Sequence, residues 1–337
     1  MDRLHFAGTT GLGDGAVEVT ERPRPASDGG RPVRDPPPSD RLRRTPRASD
    51  LGAPPSYLEV GLWTGRLPAA GDGAGLILNP ALRSDGEEIV APDPATGIEA
   101  MFAATGPIPA LLARIGADPT EIDRLPGALK ERLTALGILL DPGSAATAAA
   151  EWKRVVGRAA ACFGERRYAE LPGVFNPAAV AFLRERYRRM AREAALPYGD
   201  PQCPTRWTAH NDEAALPLHS ALAPLVSQIV GAPVKPSYLY LGAYAQGSYL
   251  ARHTDREQCV FTASMLVDYL PDPGGPSLWP LQLHLGDPPV SIQQRLGEIL
   301  LFAGRDIEHG RPPLPEGHMS VSLFFHFVPA DFDGSID

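Results

Sequence analysis

The 337-residue sequence sets 40 Asp and Glu against 32 Lys and Arg, a formal net charge of −8, which offers no field for gripping a polyanion and argues against nucleic acid as a partner. Its three cysteines, Cys162, Cys203 and Cys259, are odd in number and far apart, so neither a disulfide framework nor a Cys-x-x-Cys zinc pair is expected, and a reducing, cytoplasmic setting fits. Neither an apolar signal core nor a run of about 18 apolar residues occurs, so neither secretion nor a membrane span is predicted, while 43% hydrophobic residues suffice for a sizeable core.

The chain also carries 34 Gly and 37 Pro, well above the roughly 12% expected for the pair. Much of that excess lies in residues 1–55, where RPRPASDGGRPVRDPPPSDRLRRTPRASD has almost no branched aliphatics. Such a stretch buries too little apolar surface to offset chain entropy and reads as a disordered tail of polyproline character.

Residues 56–150 read as a small accessory domain. Short apolar runs at Leu76–Leu78 and Ile89–Val90 are bounded by Asn-Pro, Asp-Gly and Asp-Pro turns, and these predict strands. Two helical patterns follow, IPALLARIGA and GALKERLTALGILL. In the second, Leu129, Leu133, Leu136 and Leu139 recur at helical spacing, with Gly137 as a stop. Strands followed by short helices resemble the winged-helix peptide-recognition modules attached to peptide-modifying enzymes. An α+β packing domain without a ligand is the plainer alternative.

Residues 151–337 form a second, larger unit. It opens with a strand at YAEL, then a helix with Asn176 as N-cap and Pro177 at its first position. A second amphipathic helix, LPLHSALAPLVSQIV, turns Leu218, Leu222, Leu225, Val226 and Ile229 inward. After Gly231 the pattern alternates: SYLYLGAY, YLARHTD, FTASMLVDYL, SLWPLQLHL, EILLF and MSVSLFFHFV. Short strands punctuated by Gly and Pro predict an α+β unit with a jelly-roll, cupin-like core and helices packed outside it.

His253 and Asp255 close one predicted strand, separated by a single residue, so a side-chain period of two sends both to one face. His309, after the apolar strand in GEILLFAGRDIEHG, is the candidate third ligand. Two imidazoles and a carboxylate on one octahedral face, with the other positions open, suit non-heme Fe(II). A second His-x-Asp, His210-Asn211-Asp212, sits in the polar stretch TRWTAHNDE, which shows no β alternation and is set aside. Packing is the simpler role for Trp207, Trp279, His284 and His326.

The segment YAQGSYLARHTD, followed by GEILLFAGRDIEHGRPPLPEGHMSVSLFFHF, resembles the Fe(II)/2-oxoglutarate-dependent oxygenases, and within them the prolyl-4-hydroxylase-like branch. The resemblance runs from near Tyr168 to Phe332. It implies a double-stranded β-helix in which His253, Asp255 and His309 bind iron and Tyr244 touches 2-oxoglutarate. It also implies an O2-driven decarboxylation of that co-substrate to succinate, coupled to hydroxylation of an unactivated C–H bond.

One position departs from the branch. Where an Arg or Lys pairs with the distal carboxylate of 2-oxoglutarate, nine or ten residues after the distal histidine, this chain has His318 and Met319. His318 and Ser320 share a strand face and are the expected anchors, with Arg311, Arg252 and Arg256 as substitutes. The expected substrate is a peptide or a protein-borne residue. The alternatives are a free amino acid or small biosynthetic intermediate, an iron oxygenase that works without 2-oxoglutarate, and a non-catalytic jelly-roll binding module.

Overall fold

The computed structural model describes residues 75–84, 88–103, 107–193 and 195–336, together with two three-residue strands, β1 (Leu4–Phe6) and β2 (Val17–Val19), that pair antiparallel. Apart from those strands, the tail predicted over residues 1–55 lies outside the described residues.

In the accessory region, β3 (Ile77–Leu78) is followed by an antiparallel three-stranded sheet of β4 (Arg83–Ser84), β5 (Glu88–Pro92) and β6 (Glu99–Ala103). Then come α1 (Ile108–Ala117), a 3-10 turn at Pro119–Arg124, and α2 (Gly127–Ala135). The apolar stripe Ile108, Leu111, Leu112 and Ile115 buries against Ile89, Ile122, Leu133 and Ile138. Leu139, which the leucine spacing puts on the second helix, lies instead in β7 (Leu139–Leu140), paired with β3. Gly137 takes a positive φ of 72°, and the Ile138 amide bonds back to the Leu133 carbonyl. This Schellman closure ends the helix before the apolar run does.

The domain boundary expected at residues 150–151 falls inside a continuous helix, α3 (Pro142–Arg166). Asp141 caps it by accepting from the Ser144 amide at 2.6 Å, Pro142 occupies its first turn, and Arg167 closes it in the left-handed region. Its Ala-rich start favours helix without needing burial. Val156, Ala159 and Phe163 alone are buried, in the core of the larger unit.

That unit contains β8 (Tyr168–Leu171), α4 (Pro177–Arg192), β9 (Arg206–His210), α5 (Leu216–Val230), β10 (Val234–Tyr244), β11 (Leu250–His253), β12 (Phe261–Leu270), β13 (Leu281–Leu283), β14 (Val290–Ile292), β15 (Ile299–Phe302), β16 (His309–Arg311) and β17 (Met319–Pro329). The strands form a six-stranded sheet, ordered β8-β15-β12-β17-β10-β9, and a four-stranded sheet, ordered β11-β16-β13-β14. All pairings are antiparallel, giving the double-stranded β-helix. α5 matches its sequence limits and α4 starts at its expected cap, with the Asn176 side chain accepting from the Ala178 amide at 2.8 Å.

Alternation sorts the six-stranded sheet into two faces. Leu239, Leu241, Ala243, Ala263, Met265, Leu323, Phe325 and Phe327 pack with Phe163, Leu183, Leu218, Leu222 and Val226 of the helices in one core. The opposite face is crossed by rows of directly paired residues: Arg206–Tyr244–Ser320–Tyr269, Thr208–Gly242–Ser322–Leu266, His210–Tyr240–Phe324–Ser264–Leu300, and His326–Thr262–Phe302. Directly paired residues share a face and touch, so this polar and aromatic face is the interior of the β-helix. The stretch TRWTAHNDE departs from the sequence reading, because Arg206–His210 is a strand. Its side chains, Arg206, Thr208 and His210 on one face and Trp207 and Ala209 on the other, do not look like hydrophobic alternation because the inner face is itself polar.

Candidate metal centre

The triad gathers at one end of the interior. In the register of β11 and β16, His253 lies directly opposite His309, and their ring centroids are 4.4 Å apart. Asp255 follows two residues after His253, its amide held by the Gly304 carbonyl at 2.9 Å. Its Oδ1 stands 3.5 Å from His309 Nε2 and 3.9 Å from His253 Nε2. One ligand atom from each of the three lies within 4.8 Å of the others.

Both imidazoles are oriented in the same way. His253 Nδ1 donates to the Ala251 carbonyl and His309 Nδ1 to the Ile307 carbonyl, each at 2.8 Å and each two residues back on its own chain. With the proton fixed on Nδ1, the Nε2 lone pairs face inward as metal donors. Burial, reinforced by His309, lowers the pKa of His253 against the pull of Ala251 and Asp255, which favours the neutral, ligating form.

The carboxylate is held from behind. Asp255 Oδ2 accepts from Thr262 Oγ1 at 2.7 Å, and the same hydroxyl is 3.0 Å from His326 Nδ1. A hydroxyl has one proton. Having donated it to Asp255, Thr262 must accept from His326, which therefore carries its proton on Nδ1. Burial holds His326 neutral by lowering its pKa to about 4, in spite of Asp255. Burial alone would raise the Asp255 pKa, but His309, His326 and Thr262 outweigh it and hold the carboxyl at about 2. Gly304 packs on this group, since a Cβ there would overlap Asp255 Oδ2 and Thr262 Oγ1. His326, expected to be structural, is thus tied to the carboxylate through Thr262. The only sequence signal for Thr262 and His326 is the inward register of β12 and β17, and Gly304, in the loop after β15, has none.

The alternative His-x-Asp does not assemble. Asp212 accepts from Arg186 Nη2 at 2.7 Å and from the Tyr187 hydroxyl at 3.0 Å, fastening α4, while His210 faces the interior among Tyr238 and Tyr240.

The residues expected to meet the co-substrate separate into two places. Tyr244 is fully buried, its ring 4.9 Å from Trp279 and its hydroxyl over Gly242, where any Cβ would collide with it. Ser320 lies beside Tyr244, buried and without a hydrogen-bond partner for its hydroxyl. Arg311 is on the same strand as His309 and faces the same way, buried, with its Cζ 4.6 Å over the Trp279 ring. His318 stands just before β17, half-buried, with Nδ1 2.9 Å from the Tyr269 hydroxyl. Arg252, by contrast, is exposed and paired with Glu308, and Arg256 is also exposed. Arg206, which the sequence reading did not single out, sits against Tyr244 and Tyr240, neutralised by Asp200.

A β-helix with two imidazoles and a carboxylate converging on its inner face defines a candidate non-heme metal centre, and this donor set fits Fe(II) with coordination positions left open. No protein-family model and no curated protein matches the sequence. Among solved structures, similarity is found to a Pseudomonas putida prolyl-4-hydroxylase, at 17% identity over 52% of this chain and 98% of that one, with a TM-score of 0.43. A 2OG-Fe(II) oxygenase family oxidoreductase from Burkholderia pseudomallei matches at 15% identity, 53% and 92% coverage and a TM-score of 0.43. The α-ketoglutarate-dependent epimerase SnoN from nogalamycin biosynthesis matches at 16% identity, 53% and 84% coverage and a TM-score of 0.44.

Proposed function

We propose that this chain is an Fe(II)- and 2-oxoglutarate-dependent dioxygenase that hydroxylates an unactivated C–H bond. The observation that carries the reading is the convergence of His253 Nε2, His309 Nε2 and Asp255 Oδ1, each with its remaining polar atom already occupied. A mere hydrogen-bonded pair on a barrel rim needs no third ligand held in this way.

His253, Asp255 and His309 would hold Fe(II), which would supply O2 activation coupled to decarboxylation of 2-oxoglutarate, giving succinate, CO2 and the hydroxylated product. The chain's own residues do the rest. His253 and His309 present neutral nitrogen donors, and Asp255 contributes the charge that keeps a divalent ion. Thr262 and His326 fix which carboxylate oxygen faces the metal. Phe302, packed edge-on to His309 at 4.7 Å, closes the wall behind the ligand and limits water there.

The substrate we propose is a peptide or a protein-borne side chain. Support comes from the accessory sheet, where β6 pairs with β5 and, among the described residues, with no other strand. Such an edge can accept an added strand from an extended peptide. No helix among the described residues is long and apolar enough to cross a membrane.

Anaerobic titration of the Fe(II)-loaded protein with 2-oxoglutarate tests the first part, and a saturable visible charge-transfer band is the expected result. Iron bound without such a band would redirect the reading to an oxygenase that takes its electrons from substrate. For the substrate, turnover under 18O2 with peptide mixtures and with free amino acids is compared by mass spectrometry. Label entering only free amino acids would remove the peptide reading.

A further inference from the structure

Resting on the Fe(II)/2-oxoglutarate reading, this inference concerns how the chain holds its co-substrate without a cation on the last strand. Arg311 is 3% exposed, and the one hydrogen bond of its side chain runs from Nη1 to the Trp279 carbonyl at 3.0 Å. Nε and Nη2 have no partner, and among the described residues Arg311 makes no ion pair. These two groups form one edge of the guanidinium, the edge that grips a carboxylate through two parallel hydrogen bonds. A buried cation left in that state is costly to the fold unless an anion completes it.

Its surroundings point the same way. The Ser320 and Ser322 hydroxyls, on the interior rows of β17, also lack partners, and the Tyr244 hydroxyl lies over Gly242 between those rows. Trp279, which donates from Nε1 to the Pro312 carbonyl, lies under the guanidinium and against Tyr244. The competing cations are occupied or remote from this spot: Arg206 is paired with Asp200, and His318 is bonded to Tyr269 at the strand's entrance. Arg311 and His309 lie two residues apart on the inner face of β16, about 6.6 Å along the strand, a span suited to a five-carbon diacid chelated at one end.

We infer that Arg311, on the strand of the distal histidine, anchors the distal carboxylate of the 2-oxo acid co-substrate, with Ser320 and Tyr244 beside it. His318 is then a packing partner of Tyr269.

The test compares 2-oxoglutarate with 2-oxopentanoate, equal in length but without the distal carboxylate, by anaerobic chelate-band titration of the Fe(II) protein. Wild type should favour 2-oxoglutarate by about 100-fold, the scale of a charge-assisted pair. In Arg311→Gln the preference should fall to within about threefold, with iron affinity retained, and His318→Ala should keep the wild-type preference. Melting of the metal-free proteins supplies a second readout. Arg311→Gln and Arg311→Met should melt at or above wild type, yet lose the stabilisation that 2-oxoglutarate gives the metal-loaded protein. Retained preference in Arg311→Gln, its loss in His318→Ala, or a lower apo melting temperature in both Arg311 variants would overturn the assignment. A wild-type protein that gives no band with either acid would instead remove the Fe(II)/2-oxoglutarate reading, and this inference with it.

Discussion

At the scale of single residues, the carboxylate ligand is the most dependent member of the triad. Asp255 relies on the Gly304 carbonyl, on space above Gly304 and on the Thr262 hydroxyl. Gly304→Ala is expected to displace the carboxylate and reduce metal affinity more than 10-fold while the fold persists, and Thr262→Val to reduce it by about 10- to 100-fold, the usual effect of losing an outer partner. Titration with Co(II), followed by its visible absorption alongside far-UV circular dichroism, checks both. Thr262→Ser keeps the hydroxyl and should retain binding.

His219, packed under Phe325 and Phe327 with Nε2 2.8 Å from the His326 carbonyl, makes a separate residue-scale prediction. Burial lowers its pKa from 6.5 to about 3, against the His326 carbonyl bond. The unfolded chain therefore takes up the proton first as pH falls. Stability is complete above pH 6.5 and is lost progressively below it, at up to about 1.4 kcal/mol per pH unit. His326 adds to this with the same sign. Urea midpoints at pH 7 and pH 4.5 should differ less in His219→Gln, which keeps a donor for the carbonyl, than in wild type.

At the scale of elements, α4 is fastened to the back of the sheet by Asp268, which lies next to a register shift in β12. This buried carboxylate receives Arg184 Nε and Arg188 Nε at 2.6 Å each, and the Tyr269 amide at 2.9 Å. Removing both arginines strands a buried charge, whereas removing the acid frees two side chains that can reach water. Arg184→Ala with Arg188→Ala should cost about 3–5 kcal/mol and Asp268→Asn clearly less, measurable by denaturant unfolding. Elements with an apolar face were legible in the sequence: α5 and β12 match to the residue, and the convergence of His253, Asp255 and His309 followed from strand ends. β9 and the long α3 were not. The inward side chains of β9, Arg206, Thr208 and His210, serve a polar interior, so hydrophobic alternation is absent. Most of the first half of α3 is solvent-facing and helical through alanine content, so periodicity had nothing to register. For the co-substrate's distal carboxylate the sequence favoured His318 and Ser320 over Arg311, because burial and lack of partners, the features that distinguish Arg311, are properties of the fold.

At the scale of the whole molecule, the accessory region and the β-helix share surface. Ile98, between β5 and β6, is buried in the larger core, and Ala178 of α4 packs on the smaller one. Calorimetry of wild type should show one transition, and Ile98→Asp should split it into two. A single unchanged transition in that variant would mean that the helix α3 alone couples the regions.

The pairing of each metal histidine with a carbonyl two residues back has a consequence for how the protein tolerates mutation. Two of the three ligands are aimed by main chain, which no substitution of a neighbouring side chain can delete. The third is aimed by a hydroxyl and a glycine, both of which single base changes can remove. Sequence drift in this site is therefore channelled: the imidazoles keep their aim through almost any neighbourhood, and loss of metal begins at the carboxylate.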